Sequence, residues 1–305
     1  MAFPAEKSMP MPPNAEVLKL KATISKSKFF DSAFTVLGIA TMGLAILVLG
    51  TLIGKLLIDG AAQLNFAFLT KFPSSRAENA GVFSAWIGSL ITIVVTAAVS
   101  VPLGVGAAVY LEEYAKKGWL SDFIEVNVTN LAGVPSIIYG LLGLGVFKYG
   151  LGLGPSLATA GLTLALLVLP VVIVSTREGI RAIPGTVREA AYALGATKWQ
   201  VIWDHILPYS TGTTLTGTIV GISRAFGETA PLIVIGAVNF IAFLPENLLS
   251  PFTVLPIQMF DWVGRPDPAF QQNAAAAGIV IITMTLGMNA VAIYLRYHLR
   301  RSIKW

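Results

Sequence analysis

Residues Glu189–Pro208 read EAAYALGATKWQVIWDHILP. This stretch lies between two long apolar runs, yet it carries charges and the marks of helix ends. Thr186 with Glu189 has the form of a capping box, and so does Thr197 with Gln200. Gly195 stands where a first short helix should stop. After it, Trp199, Ile202, Trp203 and Ile206 fall at i, i+3, i+4 and i+7, which predicts one apolar stripe on a second short helix. Pro208 should close the segment. The expected unit is a helix–turn–helix on a membrane surface, displaying two tryptophans.

Composition gives the setting for that unit. The 305 residues are 55% hydrophobic and 12% charged, about half the charged share of a soluble domain. Twenty-three uncharged residues separate Asp31 from Lys55. Further uncharged runs predict spans within Asn79–Leu111, from about Val126 to Phe147, Pro155 to Thr176, Tyr209 to Phe243 and Ala274 to Leu295. Each meets the need for ~20 residues to cross ~30 Å of hydrocarbon. The expected fold is all-α: a polytopic membrane protein with about six transmembrane helices over residues 31–300. Residues 1–30, with five lysines and four prolines, read as a disordered basic tail, and residues 301–305 as a short C-terminal tail.

Lysine and arginine divide 15 to 5 between the two sides, with Arg224 inside a span. The rich side holds both termini, the 112–122 loop and the 177–208 loop, which predicts a multi-pass protein of the inner or plasma membrane with all four in the cytoplasm. The net charge of +5 therefore reports orientation and gives no sign of nucleic acid. Cysteine is absent and only His205 and His298 are present, so thiolate and histidine-cluster metal sites are not expected. Pro102, Pro135, Pro170 and Pro231 lie in or near spans, where kinks are tolerated.

Arg224 and Glu228 are the two charges placed well inside a span. Four residues apart, they share a helix face and can pair. Each costs about 2.5–3.5 kcal/mol at a membrane helix centre, so they should face a bundle interior or a water-filled path. Gly217 and Gly221 continue roughly that face and would admit a close neighbour. One reading has Arg224 meeting an anion, since guanidinium matches oxyanions through paired hydrogen bonds. The other is an ion pair that only fixes packing.

Glu189-Ala190-Ala191, Gly195 and Leu207-Pro208 resemble the EAA loop of ABC importer permeases. The family usually has isoleucine two residues before the Leu-Pro pair; here His205 stands there and Ile206 is shifted by one. Arg224–Leu232 and Ala132–Leu144 are similar to segments of phosphate importer permeases, and Ser250–Gln258 and Met288–Arg296 to their A-type subunit. The resemblance implies a type I ABC importer permease fold. It implies one half of a phosphate path, with Arg224 and Glu228 lining it. It also implies coupling to a separate ATPase through Glu189, Ala190, Ala191, Gly195, Trp199, Trp203, Leu207 and Pro208. The implied partners are a C-type permease subunit, two ATPase subunits and an extracytoplasmic phosphate-binding protein. ATP and Mg would be bound by the ATPase, and this chain would hold no cofactor, metal or catalytic residue.

The residues agree with that division of labour. No GxxxxGK[ST] loop occurs: Gly54-Lys55 lacks its context, and Gly150, Gly152 and Gly154 form a turn between spans. Trp199 and Trp203 are candidate anchors for the ATPase, or else they pack on the protein's own spans. The 244–273 connection, with Asp261, Trp262, Arg265 and Asp267, is a docking surface for the binding protein or an interfacial loop held by aromatics. Competing readings are a permease for another oxyanion (sulfate or molybdate), a gradient-driven secondary transporter and a non-transporting scaffold.

Overall fold

The computed structural model describes residues 14–116, 118–238 and 240–301. Twelve α-helices run through them, with no strand among the described residues. They are α1 (Asn14–Gly60), α2 (Phe66–Thr70), α3 (Phe83–Val109), α4 (Trp119–Leu131), α5 (Ser136–Gly143), α6 (Leu157–Arg181), α7 (Gly185–Ala193), α8 (Lys198–Gln200), α9 (Leu207–Phe226), α10 (Ala230–Ile235), α11 (Leu255–Val263) and α12 (Ala269–Arg301). Wider i→i+5 turns at Tyr110–Tyr114, Leu144–Gly150 and Val201–Ile206 extend α3, α5 and α8. The chain divides into two compact units after Lys55.

The first unit is the greater part of α1. Its apolar side chains, Phe34, Leu37, Ile39 and Ile46 among them, are exposed. A helix apolar on all sides belongs in lipid or against another chain. The expected disordered tail is corrected in part: residues 14–30 are helical. All four tail prolines precede residue 14, and residues 14–30 are rich in strong helix formers such as alanine, leucine and lysine. Residues 1–13 and 302–305 of the two expected tails lie outside the described residues.

The second unit is built around α6, whose Leu157, Leu164, Val168 and Val172 are fully or almost fully buried. Helix α3 packs on it, the Thr96 hydroxyl donating to the Gly161 carbonyl at 3.1 Å, and carries a row of small residues, Ala85, Ser89, Thr92, Thr96 and Ser100, spaced three or four apart and all buried. Small side chains let helix backbones approach where lipid offers no hydrophobic drive between them. On the α9 side, a Cβ at Gly217 would overlap Ser175, and one at Gly221 would press on Val168 at 3.0 Å. The expected close neighbour is α6.

Among the described residues, four stretches are long and apolar enough to cross a membrane: Phe30–Gln63, Phe83–Tyr114, Leu157–Arg181 and Ala269–His298. A fifth is the pair Ser121–Leu131 and Ser136–Gly150, bent by 108°. The expected continuous span from Val126 to Phe147 is therefore broken. Pro135 has no N–H to give and forces the residue before it out of the helix. The freed Leu131 carbonyl accepts a hydrogen bond from the Tyr139 hydroxyl at 2.7 Å. The expected span from Tyr209 to Phe243 is corrected as well. Helix α9 is 20 residues long and rich in serine and threonine. It ends at Gly227, α10 ends at Gly236 in the left-handed region (φ +95°), and the chain is non-helical at 240–254. Pro102 and Pro170 sit inside unbroken helices, while Pro135 and Pro231 stand at helix starts.

Candidate functional site

Two places gather the residues marked by the sequence: the α7–α8 wedge and the break between α9 and α10. In the wedge, α7 starts one residue before Thr186, with Pro184 at the cap position and no side-chain cap. The expected Thr186–Glu189 capping box is absent, because Thr186 already lies inside the helix. Gly195 ends α7 with φ +83°. Its N–H donates to the Tyr192 carbonyl at 2.9 Å and the Ala196 N–H to that of Ala191 at 3.1 Å, the paired bonds of a Schellman stop. The second capping box is formed: the Thr197 side chain accepts from the Gln200 N–H, and the Gln200 side chain accepts from the Thr197 N–H.

The four-residue stripe is not one face. Ile202 and Ile206 are buried, while Trp199 and Trp203 are 61% and 59% exposed. The tryptophan rings stack on each other, centroids 5.6 Å apart and planes 19° from parallel. The cause is the i→i+5 winding of Val201–Ile206, which spreads positions that a 3.6-residue period would align. It carries Val201 and Ile206 into a small core with Ile180, Ile183 and Ala191. His205 is left half-buried beside them. Pro208 does not close the segment. It is the second residue of α9, where its missing N–H costs no bond. Glu189 and Ala190 are exposed, Ala191 is buried, and Leu207 and Pro208 are half-buried. The wedge thus shows the two tryptophans together with Tyr192 and Leu194, the latter 90% exposed. Leu194 is not among the sequence candidates; its place just before a positive-φ glycine is the signal that could have found it.

Behind the wedge lies a charge cluster that sequence order hides. Arg177 joins Glu112 at 2.7 Å and Glu125 at 2.7 Å, and Arg181 joins the same two carboxylates at 2.9 and 3.1 Å. The Arg177 side chain is 6% exposed. Two opposed pairs leave no net charge, the condition under which buried ions are tolerated.

At the second place, Arg224 occupies the last turn of α9 and Glu228 the non-helical link to α10. They do not share one helix, but Arg224 Nε reaches Glu228 Oε1 at 3.4 Å. This is a long contact, and it engages one of five guanidinium N–H groups. Half of the Arg224 side chain is exposed, against 17% for Glu228. Beside Arg224, Ser223 hydrogen-bonds Asn289 of α12. A groove of about 330 Å³, lined by Gly227, Thr229, Pro256, Met259, Phe260 and Val263, opens next to the break. Chemically, the break offers a half-exposed guanidinium fork with a carboxylate at 3.4 Å, donors of the kind that pair with oxyanions in general.

The 244–273 connection differs from a surface loop. Trp262 is fully buried, with Phe68 at 6.0 Å and Phe270 at 6.4 Å between ring centroids. Asp261 and Arg265 pair with each other at 2.9 Å. Trp262 is therefore a core residue and offers no docking area; Phe260 is the exposed aromatic of α11.

Residues 100–305 match the family described as binding-protein-dependent transport system inner membrane component. The chain is 30% identical to the probable ABC transporter permease protein YqgI of Bacillus subtilis over 83% of its length and 90% of that protein. It is 34% identical to the phosphate transport system permease protein PstA of Yersinia pestis, covering 74% and 75%. Relatives named PstC match as well. Among solved structures, a chain of a bacterial alginate ABC transporter in complex with a periplasmic protein overlays with a TM-score of 0.66 at 16% identity, covering 90% of this chain and 97% of that one. That likeness is one of fold.

Proposed function

Because the chain belongs to the binding-protein-dependent transport system inner membrane component family, we propose that it is the A-type permease subunit of an ATP-driven phosphate importer. It forms half of the translocation path beside a C-type subunit. Two ATPase subunits on the cytoplasmic side bind ATP and Mg, and an extracytoplasmic protein delivers phosphate. The carrying observation is Arg224: a guanidinium beside a helix break, half exposed, held among the described residues by one 3.4 Å ion-pair contact. Such a group awaits an anion, and the C-type partner completes its surroundings. Support for phosphate comes from the segments around Arg224 and from relatives named as phosphate permeases. Support for the A-type rests on Ser250–Gln258 and Met288–Arg296.

The push enters through the wedge. Tyr192, Leu194, Trp199 and Trp203 form an uncovered aromatic and aliphatic surface, of the kind that carries interface energy when a partner covers it. The 15-to-5 charge asymmetry supports a cytoplasmic position for this surface and both termini. ATP binding draws the two ATPases together, the wedge moves with them, and the break around Arg224 is exposed first to one side, then to the other. This is a shift between two states set by their differential affinity for ATP.

The test is uptake into proteoliposomes holding the co-purified complex, with ionophores collapsing all gradients. Phosphate uptake should require ATP and should not be displaced by sulfate or molybdate. Uptake that follows an ion gradient and ignores ATP would overturn the reading. Displacement by sulfate or molybdate would move it to another oxyanion.

A further inference from the structure

Two neighbouring carboxylates at the end of α3 face different helices. Glu112 reaches the arginines of α6, whereas Glu113 reaches the wedge. The Glu113 side chain is 8% exposed and its partner Arg188, on α7, 23%. Arg188 donates through Nε and Nη2 to the same Glu113 oxygen at 3.1 and 2.9 Å. Its Nη1 and Nη2 also donate to the carbonyls of Ile183 and Ile180, at 3.0 and 3.2 Å, at the end of α6. A second donor comes from α8: Lys198 Nζ bonds the Glu113 backbone carbonyl and lies 4.5 Å over the Tyr114 ring. That carbonyl belongs to the last turn of a helix, where no helix N–H follows to fill it.

The topology gives this knot its meaning. The wedge is joined covalently to α6 through residues 182–184 and to α9 at Leu207. It has no covalent link to α3, which lies 75 residues earlier at the Glu113–Arg188 pair. Any motion of the wedge passes along the chain to α6 and α9, but it must cross side chains to reach α3. Both cations of the wedge, Arg188 and Lys198, end on the same residue there. A carboxylate this buried is held stiffly, because losing its partner would leave an uncompensated charge.

We propose that Glu113 is the positioning residue through which the wedge carries α3 with it, so that α3, α6 and α9 move as one block. This rests on the coupling role proposed above and names its receiving end. Without the tie, the ATPases still close and hydrolyse ATP, but the end of α3 follows only through its α6 contacts, Glu112 with Arg177 and Arg181, lags behind the wedge, and the path does not open.

The chain has no cysteine, which permits a reversible test in the complete complex with cysteine-free partners. Glu113→Cys and Arg188→Cys, singly and together, are reconstituted with the binding protein, and phosphate uptake is measured per ATP hydrolysed. Each single variant should lower that ratio about tenfold, the scale of a typical coupling energy, while hydrolysis continues. In the double variant, a methanethiosulfonate cross-linker of matching length should restore the ratio, and reductant should abolish it again. If the singles fail to assemble, the double variant with and without its cross-link still decides. An unchanged ratio, uptake and hydrolysis falling in step, or a cross-link that fails to restore coupling would each overturn the proposal. A separate Trp199→Cys chain, carrying a thiol-attached photo-crosslinker, should cross-link to the cysteine-free ATPase on illumination. If it does not, the coupling role itself falls and this inference with it; if it does and the ratio is unmoved, only the inference falls.

Discussion

The two charged regions of the bundle are built on opposite principles. Behind the wedge, Glu112 and Glu125 are matched by Arg177 and Arg181 at 2.7 to 3.1 Å, with Arg177 almost wholly enclosed. At the α9–α10 break, Arg224 has, among the described residues, a single ion-pair partner at 3.4 Å and stays half exposed. A buried charge with all its partners present is fixed in place, and exchanging a partner is costly. A charge with spare donors can take up and release a passing anion. On the function proposed above, the difference separates residues that hold helices together from one that would handle cargo.

The sharpest way to break that comparison is to remove each arginine in turn. Arg224→Ala should reduce phosphate uptake about 100-fold or more, the loss expected from two charge-assisted hydrogen bonds, with hardly any change in thermal stability. Arg224→Lys keeps the charge but loses the fork, and should fall between. Normal uptake by Arg224→Ala in an assembled complex would make the break a packing feature. The matched cluster should respond the other way. Arg177→Met should cost about 3 kcal/mol of stability, near the low end for breaking a buried pair because Arg181 still holds both carboxylates. The readout is thermal unfolding in detergent; an unshifted midpoint would mean the cluster is not structural.

The legibility of the sequence divides along the same line. Local signals are readable where the partners lie within one turn: Thr197 with Gln200, and Gly195 as a stop. Thr186 with Glu189 shows the same spacing, but Pro184 and Gly185 open α7 earlier and leave Thr186 inside it. The helical class and the membrane setting are evident from uncharged length alone. Breaks inside those lengths are not, since hydropathy is blind to a bend that Tyr139 can stabilise with a hydroxyl. The Arg224–Glu228 contact is expected from a four-residue spacing and is present, although a link replaces the helix turn between them. The pairing of Glu112 with Arg177 spans 65 residues and leaves no trace in the order of the chain. Trp262, amphipathic and flanked by charges, cannot be told from a surface residue until Phe68 and Phe270 close over it.

A smaller effect sharpens the comparison on the wedge itself. Trp199→Ala and Trp203→Ala should each weaken binding of the isolated ATPase by about 2 kcal/mol if they are interface anchors. Both rings are about three-fifths exposed in the free chain, so thermal stability should barely move. A large drop in stability with unchanged ATPase binding would assign the stacked pair to the protein's own packing, the opposite of the expected division between holding and handling.

The smallest effect isolates geometry from contact. Beyond Gly195 itself and its two chain neighbours, nothing lies within 4 Å of a Cβ added there, so the space is open, but its φ of +83° is one that other residues adopt reluctantly. Gly195→Ala should cost about 1 kcal/mol, because the methyl crowds the following carbonyl in the left-handed region. Gly195→Asn should cost less, since asparagine tolerates that conformation. Both keep the wedge small and should keep uptake per ATP near its normal value. Gly195→Trp adds the same backbone strain and also adds bulk between exposed Leu194 and Trp199. It should therefore lower uptake per ATP while its thermal stability stays close to that of Gly195→Ala. If the tryptophan variant couples as well as the alanine variant, this corner of the wedge does not touch the ATPase, and the contact must be carried by the Trp199–Trp203 face alone.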